Sequence, residues 1–258
     1  MKNPFVRFLW IIAFILFFLL LLLRVNSVHS QEYRAPHPAL AVVRISSHGA
    51  SGTVIATSPK RSWILSCAHM YFGKGETPSA EARNRKHVIH CYPQPTKQTG
   101  VSSRLILWDH KLDLSLIEID AGPFYFVPVA PRGFKPSREL WSIGYDEMKW
   151  PITARTATII DHEPNITITR EPPWHGRSGG ALIDPKAGLL IGVVCAYTTG
   201  GPFDRKPKDG IYVSHDAILR FLARAWPMTH QPHPKQVQDW RPILPSPRVI
   251  PPGLLCPT

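Results

Sequence analysis

Between Ala39 and Ile119 the chain alternates short apolar runs with turn-forming residues. ALAVVRI (39–45), TVIA (53–56), WILSC (63–67), HVIHCY (87–92), RLILW (104–108) and LSLIEI (114–119) have strand length and β-branched or aromatic content. A Pro- and Gly-rich junction follows (Gly122, Pro123, Pro128, Pro131, Gly133, Pro136), and then a second set: ELWSIG (139–144), RTATII (155–160), NITIT (165–169), ALI (181–183), GLLIGVVCAY (188–197) and IYVS (211–214). Two groups of runs predict an all-β body, built as two small barrels or a double sandwich. No repeat of about 20–50 residues is visible, which argues against a propeller or solenoid. One helix closes the body. Ser214 offers a cap to HDAILRFLARAW (215–226), where Ala217, Ile218, Phe221, Leu222 and Ala225 share a face, and Pro227 is expected to end it.

The two ends of the chain follow other rules. Lys2 and Arg7 precede an unbroken apolar run from Phe8 to Leu23, stopped by Arg24, with small residues at Val28 and Ser30. Residues 1–30 therefore read as a secretory signal cleaved after Ser30, or as an uncleaved membrane anchor; the run is slightly shorter than the usual spanning length of about 20 residues. Either reading exports the remainder as a secreted, periplasmic or outward-facing anchored protein, with membrane contact only through this segment. Residues 227–258 hold nine prolines and no periodic pattern, so an extended or disordered tail is expected.

Composition narrows the function classes. The chain has 258 residues, 30 basic and 18 acidic, for a net charge of +12, of which about +9 remains without Lys2, Arg7 and Arg24. A polyanion-binding surface must be weighed against that excess. The cations are dispersed, however, in Lys60-Arg61, Arg83-Asn84-Arg85-Lys86, Arg205-Lys206 and Lys208, with no helical stripe and no aromatic RNA-binding motif. Solvated loops account for them, and nucleic acid is not an expected partner. Walker and dinucleotide-binding fingerprints are absent, and no cofactor is expected. His87, His90 and Cys91 cluster, but His87 and His90 face opposite sides of a strand, so no metal site is expected.

The chemistry lies in three segments. WILSCAHM (63–70) delivers His69 at the end of a strand, LDLSLIEI (112–119) sets Asp113 at the entrance of another, and HGRSGGALID (175–184) puts Ser178 in a glycine-dense turn before a third. A serine hydroxyl becomes a useful nucleophile only beside a base, and an imidazole held by a carboxylate is that base. Each segment alone has an ordinary reading as a hairpin or a strand entrance; the ordered conjunction is far harder to obtain by chance. Asp109, His175 and Asp184 fit less well. Asp109 lies beyond the preceding strand, His175 lies three residues from Ser178, and Asp184 suits a hairpin turn. An α/β-hydrolase elbow would need helices alternating with strands.

On these residues the chain resembles a trypsin-like serine protease of the chymotrypsin fold, closest in style to small bacterial HtrA-like catalytic domains without a PDZ domain. The resemblance implies two six-stranded antiparallel β-barrels with a C-terminal helix. The protease domain would cover residues 33–226, with a first barrel at about 39–120, a second at about 128–214 and a helix at 215–226. It implies a serine endopeptidase acting on protein or peptide substrates through catalytic His69, Asp113 and Ser178, with Gly176 and Ser178 amides as the oxyanion hole. By the same resemblance Pro172, Val194, Cys195 and Ala196 would bind substrate, and a pocket without an acid would take a small or apolar side chain. The alternatives are an inactive protease-fold binding module and a basic surface binder. Arg177 stands where zymogens of the family carry an aspartate that pairs with a newly cut N-terminus, so that switch cannot work in its usual form, and the arginine side chain itself has no assigned role. Four cysteines, Cys67, Cys91, Cys195 and Cys256, allow three pairings, with Cys67 and Cys195 equally compatible with buried free thiols. Activity should fall below about pH 6–7 as an ordinary histidine protonates.

Overall fold

The fold was analysed in a computed structural model that describes residues 37–46, 49–71, 79, 88–90, 101–149, 151–199 and 207–229. The chain divides into two compact units, Met1–Ala35 and Pro36–Thr258, and the described residues belong to the second. The leader, the tail after Thr229, His87, Cys91, Cys256 and residues 200–206 lie outside the described residues.

Among the described residues, twelve strands form two six-stranded antiparallel sheets. The first contains β1 (Val42–Ile45), β2 (Ala50–Thr57), β3 (Ser62–Ser66), β4 (Ile89–His90), β5 (Ser103–Asp109) and β6 (Leu114–Ile119), in the order β4-β1-β2-β3-β6-β5. The second contains β7 (Glu139–Gly144), β8 (Thr153–His162), β9 (Ile166–Thr169), β10 (Ala181–Asp184), β11 (Leu189–Thr199) and β12 (Pro207–Ser214), and closes into a barrel in the order β10-β11-β12-β9-β8-β7. The first sheet is not closed among the described residues; β4 and β5 are its edges. Helix α1 (His215–Thr229) follows, with Ser214 Oγ accepting from the Ala217 amide as the expected cap. Pro227 falls in the last turn of α1 and the helix continues to Thr229, so it does not end the helix as expected. The start of the ALAVVRI run also differs. Pro38–Ala41 is a 3-10 turn, with Pro at its start and the His37 ring accepting from the Ala39 amide, and β1 begins only at Val42.

Each sheet buries its own core. Val43, Ile45, Val54, Ile64, Ile117 and Ile119 fill the first, and Leu140, Ala157, Leu182, Ile191, Val194 and Tyr212 fill the second. A third cluster joins the sheets and α1. Leu65, Leu114 and Leu116 come from the first sheet, Ile143, Ile183, Leu190 and Val213 from the second, and Ile218 and Phe221 from the helix. The strand ends that meet at this junction lead into the segments that hold His69, Asp113 and Ser178. In β3, Trp63 faces Glu118 of β6 across the ladder, and its indole N–H donates to the buried carboxylate at 3.0 Å. That bond helps fix the β3–β6 register, and with it the relative positions of the segments that follow β3 and precede β6.

Candidate active site

β6 begins immediately after Asp113, which adopts φ 54°, a left-handed conformation that aspartate tolerates better than most residues. The turn aims its carboxylate back at the segment leaving β3. Oδ1 accepts from the amides of Ala68 at 2.9 Å and His69 at 2.8 Å, and Oδ2 lies 2.6 Å from His69 Nδ1. A carboxylate only accepts, so the proton of neutral His69 sits on Nδ1 and Nε2 keeps a free lone pair. The hydrogen bond that His69 donates to Asp113, joined by one with Cys67, pushes the His69 pKa up to about 10 against the opposing effect of burial. The ordinary histidine titration expected from sequence is thereby displaced upward.

Ser178 lies in the second of two consecutive turns, Trp174–Arg177 and Arg177–Gly180. The Arg177 amide donates to the Trp174 carbonyl at 3.1 Å with Gly176 at φ 88°, and the Gly180 amide donates to the Arg177 carbonyl at 2.7 Å with Gly179 at φ 81°. Both are type II turns, whose third position requires positive φ. Space adds a second constraint: a Cβ on Gly179 would lie 2.1 Å from Ser66 Oγ and 2.2 Å from the Ser51 carbonyl oxygen. It would also lie 2.9 Å from the Cys67 amide nitrogen, which sets the Ser178 turn against the strand end that carries His69. No hydrogen bond joins His69 Nε2 to Ser178 Oγ; catalytic bonds of this kind are often loose without substrate.

Carbonyls on both sides of Ser178 are fastened, as is its own. Glu147 N–H holds the His175 carbonyl at 2.5 Å, Ser51 Oγ holds the Gly176 carbonyl at 2.9 Å, and Ser51 N–H holds the Ser178 carbonyl at 2.8 Å. Because a trans peptide points its N–H opposite to its C=O, tying His175 O and Arg177 O directs the Gly176 and Ser178 amides away from those ties. Among the described residues neither amide donates to a backbone acceptor. Two neighbouring unspent donors form a place for a developing negative charge.

Arg177 differs most from its sequence reading. It is fully buried, and its guanidinium bonds Asp146 through Nε at 2.6 Å and through a terminal nitrogen at 3.2 Å, with further bonds to Thr153 Oγ1, Ser142 Oγ and the Ser142 carbonyl. Burial alone would raise the Asp146 pKa, but Arg177, with Thr153 and Arg155, outweighs it and holds the carboxyl below the usual range. A buried arginine must find an acid, but the sequence assigns the Arg177 side chain no role and does not point to Asp146. Ser51 and Glu147, through its amide, were likewise not singled out.

The substrate-side residues separate. Val194 is buried and spends both backbone groups on the Ser178 turn, its amide on Gly180 O at 3.0 Å and its carbonyl on Gly179 N–H at 2.8 Å, so it has no backbone group left for a peptide. Cys195 lies at a bulge in β11 and Ala196 is exposed beside it. Pro172 is half-buried between β9 and the turn. Cys67 and Cys195 are free thiols, and burial pushes the Cys195 pKa up to about 12. Asp184 accepts from the amides of Ser137, Lys186 and Ala187, turning the β10–β11 hairpin, and Asp109 accepts from Lys111, Leu112 and Arg224. The His175 ring packs edge-on against Tyr197. No described helix is long and apolar enough to cross a membrane, and no described cluster of His, Cys, Asp or Glu could hold a metal.

Comparison with known proteins agrees with this architecture. Rv3671c from M. tuberculosis, in a mutant inactive form, superposes with TM-score 0.54 at 18% identity, over 76% of this chain and 91% of its own. The active form of the same protease gives 0.52 at 18% identity, over 73% and 82%. A serine endoprotease from Yersinia pestis gives 0.54 at 19% identity, over 73% of this chain and 63% of its own. At such identities the likeness is one of fold. No curated protein matches the chain by sequence. The family model for the trypsin-like peptidase domain matches residues 50–193, a stretch that contains His69, Asp113 and Ser178 and more than half the chain, so the chain belongs to the trypsin-like peptidase domain family.

Proposed function

We propose that the protein is an exported serine endopeptidase that cleaves peptide bonds through Ser178, His69 and Asp113, with its protease domain at 33–226. The observation that carries this reading is the 2.6 Å contact of His69 Nδ1 with Asp113, beside a turn whose two free amides flank Ser178. In this mechanism Ser178 Oγ attacks the scissile carbonyl carbon while its proton passes to His69 Nε2. The carbonyl oxygen takes up the negative charge and receives the Gly176 and Ser178 amides. Collapse of the adduct breaks the C–N bond, and the proton on His69 leaves with the amine. The remaining acyl-Ser178 ester is hydrolysed by a water that His69 deprotonates, regenerating the hydroxyl. Asp113 stabilises the imidazolium in both halves. Cys195 and Ala196, rather than Val194, supply the strand edge for the substrate backbone.

A fluorophosphonate probe tests the reading. It should label the wild type, and Ser178→Ala should abolish both labelling and peptide cleavage with the fold intact. His69→Ala should come close to that loss, and Asp113→Asn should retain more. Labelling that survives Ser178→Ala, or a folded wild type that never labels, sinks it and favours an inactive binding module.

A further inference from the structure

The pairing of Arg177 with Asp146 does more than neutralise a buried charge. Asp146 opens a short 3-10 turn, Asp146–Met148, in which Glu147 takes φ 50°, and the amide of Glu147 is the group that holds the His175 carbonyl. The His175–Gly176 peptide is the central peptide of the first type II turn. In a type I turn the same peptide is rotated by about half a turn, which would aim the Gly176 amide away from the oxyanion position. Glu147 N–H bonds the carbonyl of this peptide in its type II orientation, and Glu147 directly follows Asp146.

Asp146 grips the catalytic turn at both ends. It bonds Arg177, the fourth residue of the turn, twice. It also accepts from Arg155 at 2.9 Å and 3.2 Å, and the Arg155 guanidinium lies 4.9 Å from the ring centre of Trp174, the first residue of the turn. Thr153 Oγ1 donates to Asp146 Oδ2 at 2.9 Å and accepts from Arg177, so β8 braces the pair. The backbone leaves no slack for Arg177 to move, since a Cβ on Gly144 would lie 2.6 Å from Arg177 Cγ. Every member of this network is an internal residue, so it needs no chain terminus.

We propose that Asp146 and Arg177 form an internal latch that holds the Gly176 amide in the oxyanion site, making both of them positioning residues for peptide-bond cleavage. The inference rests on the serine-endopeptidase reading above. It gives a role to a side chain to which the sequence assigned none.

The test is the second-order rate of fluorophosphonate labelling, together with kcat and KM on any peptide that the wild type cleaves. Asp146→Asn keeps the shape and removes the charge; Arg177→Met keeps most of the length and removes the fork. Both should lower the labelling rate and kcat by about 10²–10³, the usual loss for one oxyanion donor, while KM stays within about twofold. Phe221→Ala, in the core packed by α1, is the control that lowers stability without touching the turn, and its labelling should stay near the wild-type rate. If Asp146→Asn and Arg177→Met label at the wild-type rate, or slow only as much as Phe221→Ala at equal loss of thermal stability, the latch is wrong. In that event a labelled wild type and an unlabelled Ser178→Ala leave the peptidase reading standing. A wild type that is folded but unlabelled overturns the peptidase reading and the latch together.

Discussion

Replacing Ser51 by alanine should destabilise the protein far more than the loss of one hydroxyl suggests. Ser51 is fully buried in β2, and its Oγ donates to the Gly176 carbonyl at 2.9 Å while accepting from the Tyr145 amide at 3.0 Å. Alanine strands both groups. The Tyr145 amide belongs to a fully buried residue, and a buried unpaired donor costs about 1–3 kcal/mol. Gly176 is only partly buried, so water can replace much of its bond and the cost there is about 0.5–1.5 kcal/mol. A total of roughly 2–4 kcal/mol is a large share of the ~5–15 kcal/mol that a domain commonly has. Urea unfolding followed by tryptophan fluorescence, in a Ser178→Ala background to suppress self-cleavage, measures it. With m near 2 kcal/mol/M the midpoint should fall by about 1–2 M and m should not change. Ser66→Ala loses the bond to the Ser51 carbonyl at 2.6 Å and a weak, long contact to Met70 Sδ at 3.6 Å, strands no backbone donor, and should fall by less. A midpoint shift below about 0.3 M for Ser51→Ala would refute the reasoning, because two stranded groups cannot be so cheap.

Two further outcomes are expected. Gly179→Ala combines a left-handed φ with contacts at 2.1 and 2.2 Å, whereas Gly188→Ala has φ 67° and open space around its Cβ, so Gly188→Ala should cost the conformational ~1–2 kcal/mol and Gly179→Ala at least ~1–3 kcal/mol more; equal unfolding midpoints would contradict the packing of the turn on β2 and β3. The pH profile follows from His69: the base acts only when neutral, so kcat/KM should rise with pH toward a limb near the raised pKa of about 10, and Asp113→Asn, which removes the main cause of that rise, should move the limb down toward the ordinary ~6.5 while lowering the plateau. A limb at the same pH in both proteins would deny Asp113 its hold on the imidazole.

Much of this was legible because local pattern and tertiary role coincide. LSLIEI is β6 without adjustment, since both its faces are buried and its limits are set by Asp113 and Asp120. The glycine-dense run around Ser178 announces a turn that needs positive φ, and two of its glycines have it. What stayed hidden depends on neighbours remote in sequence. Ser51 is an unremarkable serine in a strand until it meets Gly176, 125 residues later. Arg177 has no role that its neighbours in sequence can assign, and only the fold reveals Asp146, 31 positions away, beside it. The 3-10 turn at Pro38–Ala41 was masked by apolar residues that suit either conformation, their burial coming from the cluster shared by both sheets.

The fastening of the Ser178 turn to β2 bears on the order of events in folding. One sheet contributes the hydroxyl and the other contributes the imidazole, and the bonds between them close a loop of 125 residues. Contacts so distant along the chain are among the slowest to form, because the intervening segment must already be ordered before they repay its lost entropy. In refolding, β-structure should therefore return before labelling does, and a nascent or half-folded chain would have no working nucleophile. Timing of this kind would spare a peptidase from cutting its own unfinished copies, at the stage when exposed chain is most vulnerable.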